Sequence, residues 1–269
     1  MDTVANVYTK HETLVKVENV SLQYGDRLIL RDVDVEIQNI TRPDVEQGQV
    51  VCFLGPSGIG KTQLSRIIAG LNKPTKGRVT LANGQEVQKG QVGLVPQHYR
   101  LFEYMTVDEN LKIAAKQGGE KVNPYVYIDQ FDLRKYLDYY PCQLSGGTRQ
   151  RVAIVRQLVC SEHLLIMDEP FSGLDVKMKH RACDVIRQVA QLHTLNTIIV
   201  VTHDVTEGMS IADTVWLMGM EPELPGARIV EQFDLAEMGL AWRPDILHNK
   251  VFQELVADVK DRFETLTPA

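Results

Sequence analysis

Residues 55–62 read Gly-Pro-Ser-Gly-Ile-Gly-Lys-Thr and match GxxxxGK[ST] at every position. The chemistry this spacing serves is the holding of a phosphate chain. Gly55, Gly58 and Gly60 let the backbone wrap closely enough for several N–H groups to face one anion. Pro56, Ser57 and Gln63 belong to the same wrapping stretch. Lys61 brings a charge to the outer phosphates, and the Thr62 hydroxyl is placed to ligate Mg²⁺. The flanks give the motif its context. "QVVCFLG" before it is a buried-strand type of run, and "KTQLSRIIAG" after it has helical spacing up to Gly70. A helix opening at Lys61 aims the positive end of its dipole at the same place.

A second set of residues could do work on that phosphate. "LLIMDE" ends an apolar run with Asp168 and Glu169. Two carboxylates at a strand's end are costly unless a cation or a reaction uses them. Neighbours on a strand point opposite ways, so the two acids are expected to differ in role. Asp168 would face Mg²⁺, directly or through water. Glu169 would face the γ-phosphate side and take a proton from attacking water. His203 ends the next apolar run, "TIIVVTH". An isolated histidine is ordinarily a surface residue, but parallel strands would put this one at the same sheet edge. A γ-phosphate contact is then the expectation. Gln97, after "VGLVP", is placed to touch Mg²⁺ or the water, and by itself would carry little weight.

A second anion-type helix start follows at "LSGGTRQR", residues 144–151. Ser145 offers a hydroxyl, Gly146 and Gly147 allow close approach, and the helix start attracts negative charge. One chain thus carries two phosphate-facing helix starts, far apart in sequence.

The elements that must position these residues can be read coarsely. "LVKVENV" and "LILRDVDVEI" alternate as strands about a "QYGDR" turn, and Asn83-Gly84 in "GRVTLANGQEV" is a hairpin signal. From about 98 to 160 short helical segments dominate: "VDENLKIAAK", "PYVYIDQF", "DLRKYL" and "GGTRQRVAIVRQLVC". Strand and helix then alternate through "LLIMDE", a helix from Asp175 with Met178, Ala182, Val185, Ile186 and Val189 on one face, "TIIVVTH" and "DTVWLMG". Continuous apolar strands joined by helices imply a parallel sheet covered on both faces. The tail "NKVFQELVADVKDRFETL" is amphipathic and is expected to be a helix packed on the domain's edge.

Composition sets outer limits. The 269 residues are 44% hydrophobic and 24% charged, with a net charge of −6. No basic tail is visible, which argues against nucleic acid as a partner. Cys52, Cys142, Cys160 and Cys183 form no CxxC pair and are expected to be reduced thiols. "MDTVANVYTKHETL" lacks an apolar core behind basic residues, so no secretory signal is expected. "VVCFL" and "TIIVV" are far shorter than the ~20 residues that span a bilayer.

With these pieces in this order, the chain resembles an ATP-binding subunit of the ABC transporters from about Leu14 to Thr214. Gln97 matches the Q-loop, "LSGGTRQR" the signature, "LLIMDE" the Walker B strand, "SGLD" (172–175) the D-loop and His203 the switch histidine. The resemblance implies an α/β fold: a P-loop NTPase core with a parallel sheet flanked by helices, an antiparallel β subdomain and an inserted helical subdomain. It implies an ABC ATPase domain over 1–240, with the helical subdomain at about 98–160, and a helical tail over 241–269. It places Tyr24 against adenine and Asp175 in the nucleotide-binding set. ATP and Mg²⁺ are the implied ligands.

The resemblance also accounts for the second helix start. In this family two subunits, alike or paired, pack head to tail. Ser145, Gly146 and Gly147 of one chain would cap the γ-phosphate held by the other. Transmembrane permease subunits would hold the chain at the cytoplasmic side of the inner or plasma membrane, with a solute-binding protein as an indirect partner. "YPCQLSGGTRQRVAI" and "VFQELVADVKDRF" look most like the nitrate, sulfonate and taurine type of importer. The chain departs from the family at Thr148, where a glutamine is usual, and in "QNITRPDVEQ" (38–47), which lengthens the loop before the phosphate-loop strand. A soluble ABC-type ATPase of DNA repair or cofactor assembly is the alternative, but the long coiled coil of the DNA-repair relatives is missing. A P-loop kinase is disfavoured by the signature and D-loop.

Overall fold

The computed structural model describes residues 8–41, 47–119, 123–161, 163–221 and 224–266. The first seven residues and most of the 42–47 part of the lengthened loop lie outside that description. β1 (Thr9–Tyr24) and β2 (Arg27–Thr41) form a long antiparallel hairpin that turns at Gly25. The stretch 38–41 therefore extends β2 rather than a loop. β3 (Gln49–Leu54) leads into the phosphate-binding motif, and α1 (Lys61–Ile68) leaves it. β4 (Lys76–Leu81) pairs with β1 to complete a three-stranded antiparallel sheet ordered β2-β1-β4.

Asn83-Gly84 does make a tight turn, with Leu81 N–H donating to Gln85 O at 3.0 Å. The returning leg amounts to one bridge between Thr80 and Glu86. Residues 82–90 are almost wholly exposed, so no apolar face exists there to fix a full strand.

β5 (Gly93–Val95) is followed by α2 (Val107–Gln117), α3 (Pro124–Gln130), single 3-10 turns at Arg134–Tyr136 and Pro141–Gln143, and α4 (Gly146–Cys160). "DLRKYL" thus forms one 3-10 turn in place of an α-helical segment. β6 (Leu164–Asp168), α5 (Val176–Gln191), β7 (Thr197–Thr202), α6 (Val205–Ile211) and β8 (Thr214–Gly219) follow. β9 (Arg228–Asp234) and α7 (Lys250–Thr265) close the described chain.

The second sheet has the order β5-β6-β7-β3-β8-β9, parallel except for β9, which runs antiparallel to β8. Both faces are covered, and the side-chain alternation of a strand divides the core in two. Cys52, Leu165, Met167, Val200 and Leu217 face α4, α5 and α6. Phe53, Ile166, Val201, Trp216 and Met218 face α1 and the three-stranded sheet. This is why β3, β6 and β7 read as unbroken apolar runs. α1 is thereby wedged between the sheets, which fixes the phosphate motif at its start.

One sequence expectation shifts, and one strand goes unread. α5 buries Cys183 and Ala190 with Ala182, Ile186 and Val189, while Val185 and Met178 are only partly covered. β9 carries Glu231 and Gln232 within an antiparallel edge strand, so its apolar pattern is too diluted to read. α7 packs through Phe252, Val256 and Val259. Cys52, Cys142, Cys160 and Cys183 are all free thiols.

Candidate functional site

The ends of β3, β6 and β7 lie side by side in the large sheet, and their next residues build one cleft. The residues after β3 are the glycine-rich loop. A Cβ on Gly55 would stand 2.8 Å from Met218 O, so only glycine lets this strand end pack against β8. Gly60 has φ 111° and caps α1, a backbone that side chains rarely adopt. The turn therefore presents the first N–H groups of α1 to the cleft, where an anion is favoured.

Lys61 is 5% exposed. Its Nζ donates to Gly55 O at 2.8 Å and Pro56 O at 2.9 Å, and lies 3.3 Å from Glu169 Oε1. Burial pushes its pKa down, and the charge of Glu169 pulls it back up. The ammonium is thus pre-aimed across the loop, with Glu169 as its counter-charge.

Asp168 and Glu169 diverge, but the strand stops at Asp168, so the left-handed turn at Glu169 separates them rather than strand alternation. Asp168 is buried, and its Oδ1 accepts from Thr62 Oγ1 at 3.3 Å. Burial raises its pKa, against the opposing pull of Thr62 and Lys61. A hydroxyl beside a carboxylate is a hard-oxygen donor set suited to Mg²⁺. Glu169 has φ +52°, left-handed for a residue with a Cβ. Its Oε2 accepts from Thr202 Oγ1 at 3.2 Å and from His203 N at 3.4 Å, and lies 2.8 Å from His203 Nδ1.

Gln97 Nε2 donates to Ser172 Oγ at 3.0 Å. Tyr24, half-exposed on the three-stranded sheet, donates its hydroxyl to Gln63 Oε1 at 3.2 Å. A cleft of about 530 Å³ is lined by Tyr24, Ser57, Gly58, Gly60, Lys61, Thr62, Gln63, Gln97, Glu169 and His203. A larger cavity of about 660 Å³ lies at the opposite edge of the sheet, where Leu164 and Thr197 begin their strands.

Ser145, Gly146, Gly147 and Asp175 do not line the cleft. Ser145 caps α4, its Oγ accepting from Thr148 N at 3.3 Å. Thr148 is buried, with its hydroxyl 2.9 Å from Ser145 Oγ, so the unusual residue steadies the serine from within the helix. Asp175 caps α5 by accepting from Met178 N at 2.9 Å.

Several neighbours escape a reading of the sequence. Thr202 and Ser172 support Glu169 and Gln97, and Arg27 and Ile29 line the cleft beside Tyr24. Lys179 of α5 pairs with Asp204, whose N–H donates to Thr202 Oγ1 at 3.0 Å. Thr202 and Asp204 flank His203, which is the only signal the sequence offers for them. Lys179 has none, since it stands on another helix.

The family described as ABC transporter matches residues 39–172. The chain is 39% identical over 214 residues to the sulfate/thiosulfate import ATP-binding protein CysA of Synechococcus elongatus, covering 76% of this chain and 59% of that protein. It is 37% identical over 215 residues to a probable protein of the same name from Chlorella vulgaris, covering 76% of this chain and 86% of that protein. A match at 35% identity carries the name of a ferric-ion importer subunit, from Fusobacterium nucleatum. The chain spans about three fifths of the length of most of the curated relatives it matches. In fold it resembles cbiO1 of Clostridium perfringens, part of the ABC transporter complex cbiONQ, with a TM-score of 0.70 at 22% identity over 94% of this chain and 99% of that one. These names speak for sulfate, thiosulfate and ferric ions, not for the nitrate, sulfonate and taurine type of importer expected from the signature region and tail.

Proposed function

The chain belongs to the ABC transporter family, and from that premise we propose that it is the ATP-hydrolysing subunit of an importer, with sulfate or thiosulfate as the solute. The observation that carries the reading is the convergence of Lys61, the Thr62–Asp168 pair and the Glu169–His203 pair on one cleft.

Lys61 and the first N–H groups of α1 would hold the outer phosphates of ATP. Tyr24 lines the same cleft from the three-stranded sheet, where an aromatic face would stack on the base without reading hydrogen-bond edges. Thr62 and Asp168 would hold Mg²⁺, with Gln97 at its side. Bound there, the ion neutralises charge on the phosphate oxygens. Glu169 takes the proton from the attacking water. Thr202 and His203 fix which way its carboxylate points. His203, exposed at the mouth, is free to reach the outermost phosphate from the other side.

The α4 start with Ser145, Gly146 and Gly147 does not line the cleft of its own chain. A second ATPase subunit, packed head to tail, would bring its own α4 start there. Two composite sites result from one two-fold axis. Permease subunits complete the transporter and keep the chain on the cytoplasmic side of the membrane. Among the described residues no helix is long and apolar enough to cross a membrane.

Two measurements test this. Mg²⁺-dependent release of phosphate from ATP by the purified chain addresses the chemistry. Uptake of sulfate, thiosulfate, ferric ion, nitrate and taurine by cells with and without the gene addresses the solute. Unimpaired sulfate and thiosulfate uptake without the gene would remove the solute assignment and leave the ATPase reading standing.

A further inference from the structure

Glu169 is not the only strained residue beside the cleft. Tyr99 has φ +43°, also left-handed, and the two are joined through one carbonyl. The Tyr99 hydroxyl donates to Pro170 O at 3.0 Å, and Pro170 directly follows Glu169. Two residues before Tyr99, Gln97 donates to Ser172 Oγ. Ser172 N in turn donates to Glu169 O at 3.2 Å, and Glu169 N donates to Val201 O at 2.7 Å. The turn over 169–172 is thus pinned to the sheet on one side and to the segment 97–99 on the other. Tyr99 does not line the cleft.

Behind Tyr99 stands Gln150, one turn into α4. Gln150 is 4% exposed, and its Nε2 makes no aligned hydrogen bond. The amide faces the Tyr99 phenol and lowers its pKa, but burial dominates and pushes the phenol up to about 12. A buried amide without a partner is unfavourable, so any shift of α4 that brought Nε2 onto the phenol oxygen would gain a hydrogen bond. A hydroxyl that accepts a bond also donates more strongly.

We propose that Tyr99 is a positioning residue for hydrolysis: its hydroxyl holds the Pro170 carbonyl, and with it the left-handed turn that aims Glu169 at the cleft, while Gln150 ties that hold to the placement of α4. The inference rests on Glu169 being the base. It makes the helix that starts at Ser145 a part of the base's support within its own chain. Docking of that helix start on another subunit's nucleotide would then tighten or loosen the local Glu169.

The test is Tyr99→Phe in the full chain, which removes one oxygen and keeps the ring. The kcat for MgATP falls roughly tenfold or more, the scale set by leaving a buried acceptor unpaired. The KM for ATP stays near wild type, and the melting temperature falls by a few degrees, the cost of the unpaired Pro170 carbonyl. Amide exchange, which needs no turnover, quickens at Ser172 and Leu174 and nowhere distant. Gln150→Leu lowers kcat in the same direction, and the double variant is no slower than Tyr99→Phe alone. In a Glu169→Gln background Tyr99→Phe has no further effect on residual hydrolysis. Wild-type kcat, or unchanged exchange at the 169–172 turn, would overturn the inference. A slow Glu169→Gln chain beside a fully active Tyr99→Phe chain removes only the role of Tyr99. A fully active Glu169→Gln chain removes the base itself.

Discussion

His203 Nδ1 and Glu169 Oε2 lie 2.8 Å apart, each one residue beyond the end of its strand. β6 and β7 are neighbours in register, with Asp168 opposite Val201, so the two side chains meet by the geometry of the sheet. Glu169 holds three other contacts, to Lys61, Thr202 and the His203 backbone. Substitutions on the two sides should therefore differ in severity. Glu169→Gln preserves shape and removes the base, so hydrolysis falls about 10²–10⁴-fold while ATP binding persists. His203→Ala leaves the carboxylate supported and gives a smaller loss. Steady-state phosphate release and equilibrium ATP binding measure both, and a Glu169→Gln chain with normal turnover contradicts the assignment.

Lys61→Ala should act on binding itself. The variant loses a charge-assisted contact to phosphate of about 1.5–3 kcal/mol, or roughly tenfold to a hundredfold in ATP affinity. Asp168→Asn should instead weaken the dependence of binding on Mg²⁺. Burial raises the pKa of Asp168, so Mg²⁺ affinity should fall on acidification sooner than for an exposed aspartate. Calorimetric titrations with and without Mg²⁺, at two pH values, read all three effects. Equal ATP affinity in wild type and Lys61→Ala would mean that the site is misplaced.

Ser145→Arg should destroy hydrolysis but spare ATP binding at the chain's own cleft, because Ser145 does not line it. Lys61→Ala breaks the opposite half. A mixed dimer of the two variants gathers both lesions in one composite site and leaves the other intact. Mixing should then restore part of the hydrolysis or ATP-driven dimerisation that neither variant shows alone. Cross-linking confirms that mixed dimers form. A Ser145→Arg chain with wild-type activity excludes a role for the α4 start.

A pH effect on stability is expected at the start of α6. Glu207 is pushed up to about 7 by burial, with the neighbouring Asp204 carboxylate adding to the shift and Lys179 opposing it. The folded chain thus holds this proton more tightly than the unfolded chain, whose glutamate titrates near 4.5. The resulting stabilisation is complete below about 4.5 and is lost as pH rises to about 7. Glu207→Gln should melt above wild type at pH 8, and the gap should close at pH 4.5. Parallel melting temperatures across that range would contradict a raised pKa.

Much of this site is written in local sequence because its parts are strand ends. "QVVCFL", "LLIMD" and "TIIVVT" are apolar throughout since the strands are covered on both faces, and the residues that follow them are the phosphate loop, Glu169 and His203. Tyr99, Lys179 and Gln150 are different. Each acts on Glu169 or its supports from an element remote in sequence, and nothing in its type or motif names the partner it meets, even for Gln150 inside the signature stretch. Ser172 opens the recognised "SGLD" stretch and Thr202 stands beside His203, with nothing in their type to announce the partners they meet. β9 was hidden for a different reason: as an edge strand beside solvent it tolerates the polar residues that erase the pattern.

The cleft is built across a seam. Tyr24 stands on the antiparallel sheet, whereas the phosphate loop, Glu169 and His203 belong to the parallel one. A nucleotide lying in it would rest its base on one layer and its phosphates on the other. It would act as a rivet, resisting any slide of the β1–β2 hairpin over the layer beneath. Cleavage at the phosphate end and release of the product would then loosen a joint between layers, so the mechanical stiffness of the whole subunit would rise and fall with each catalytic cycle.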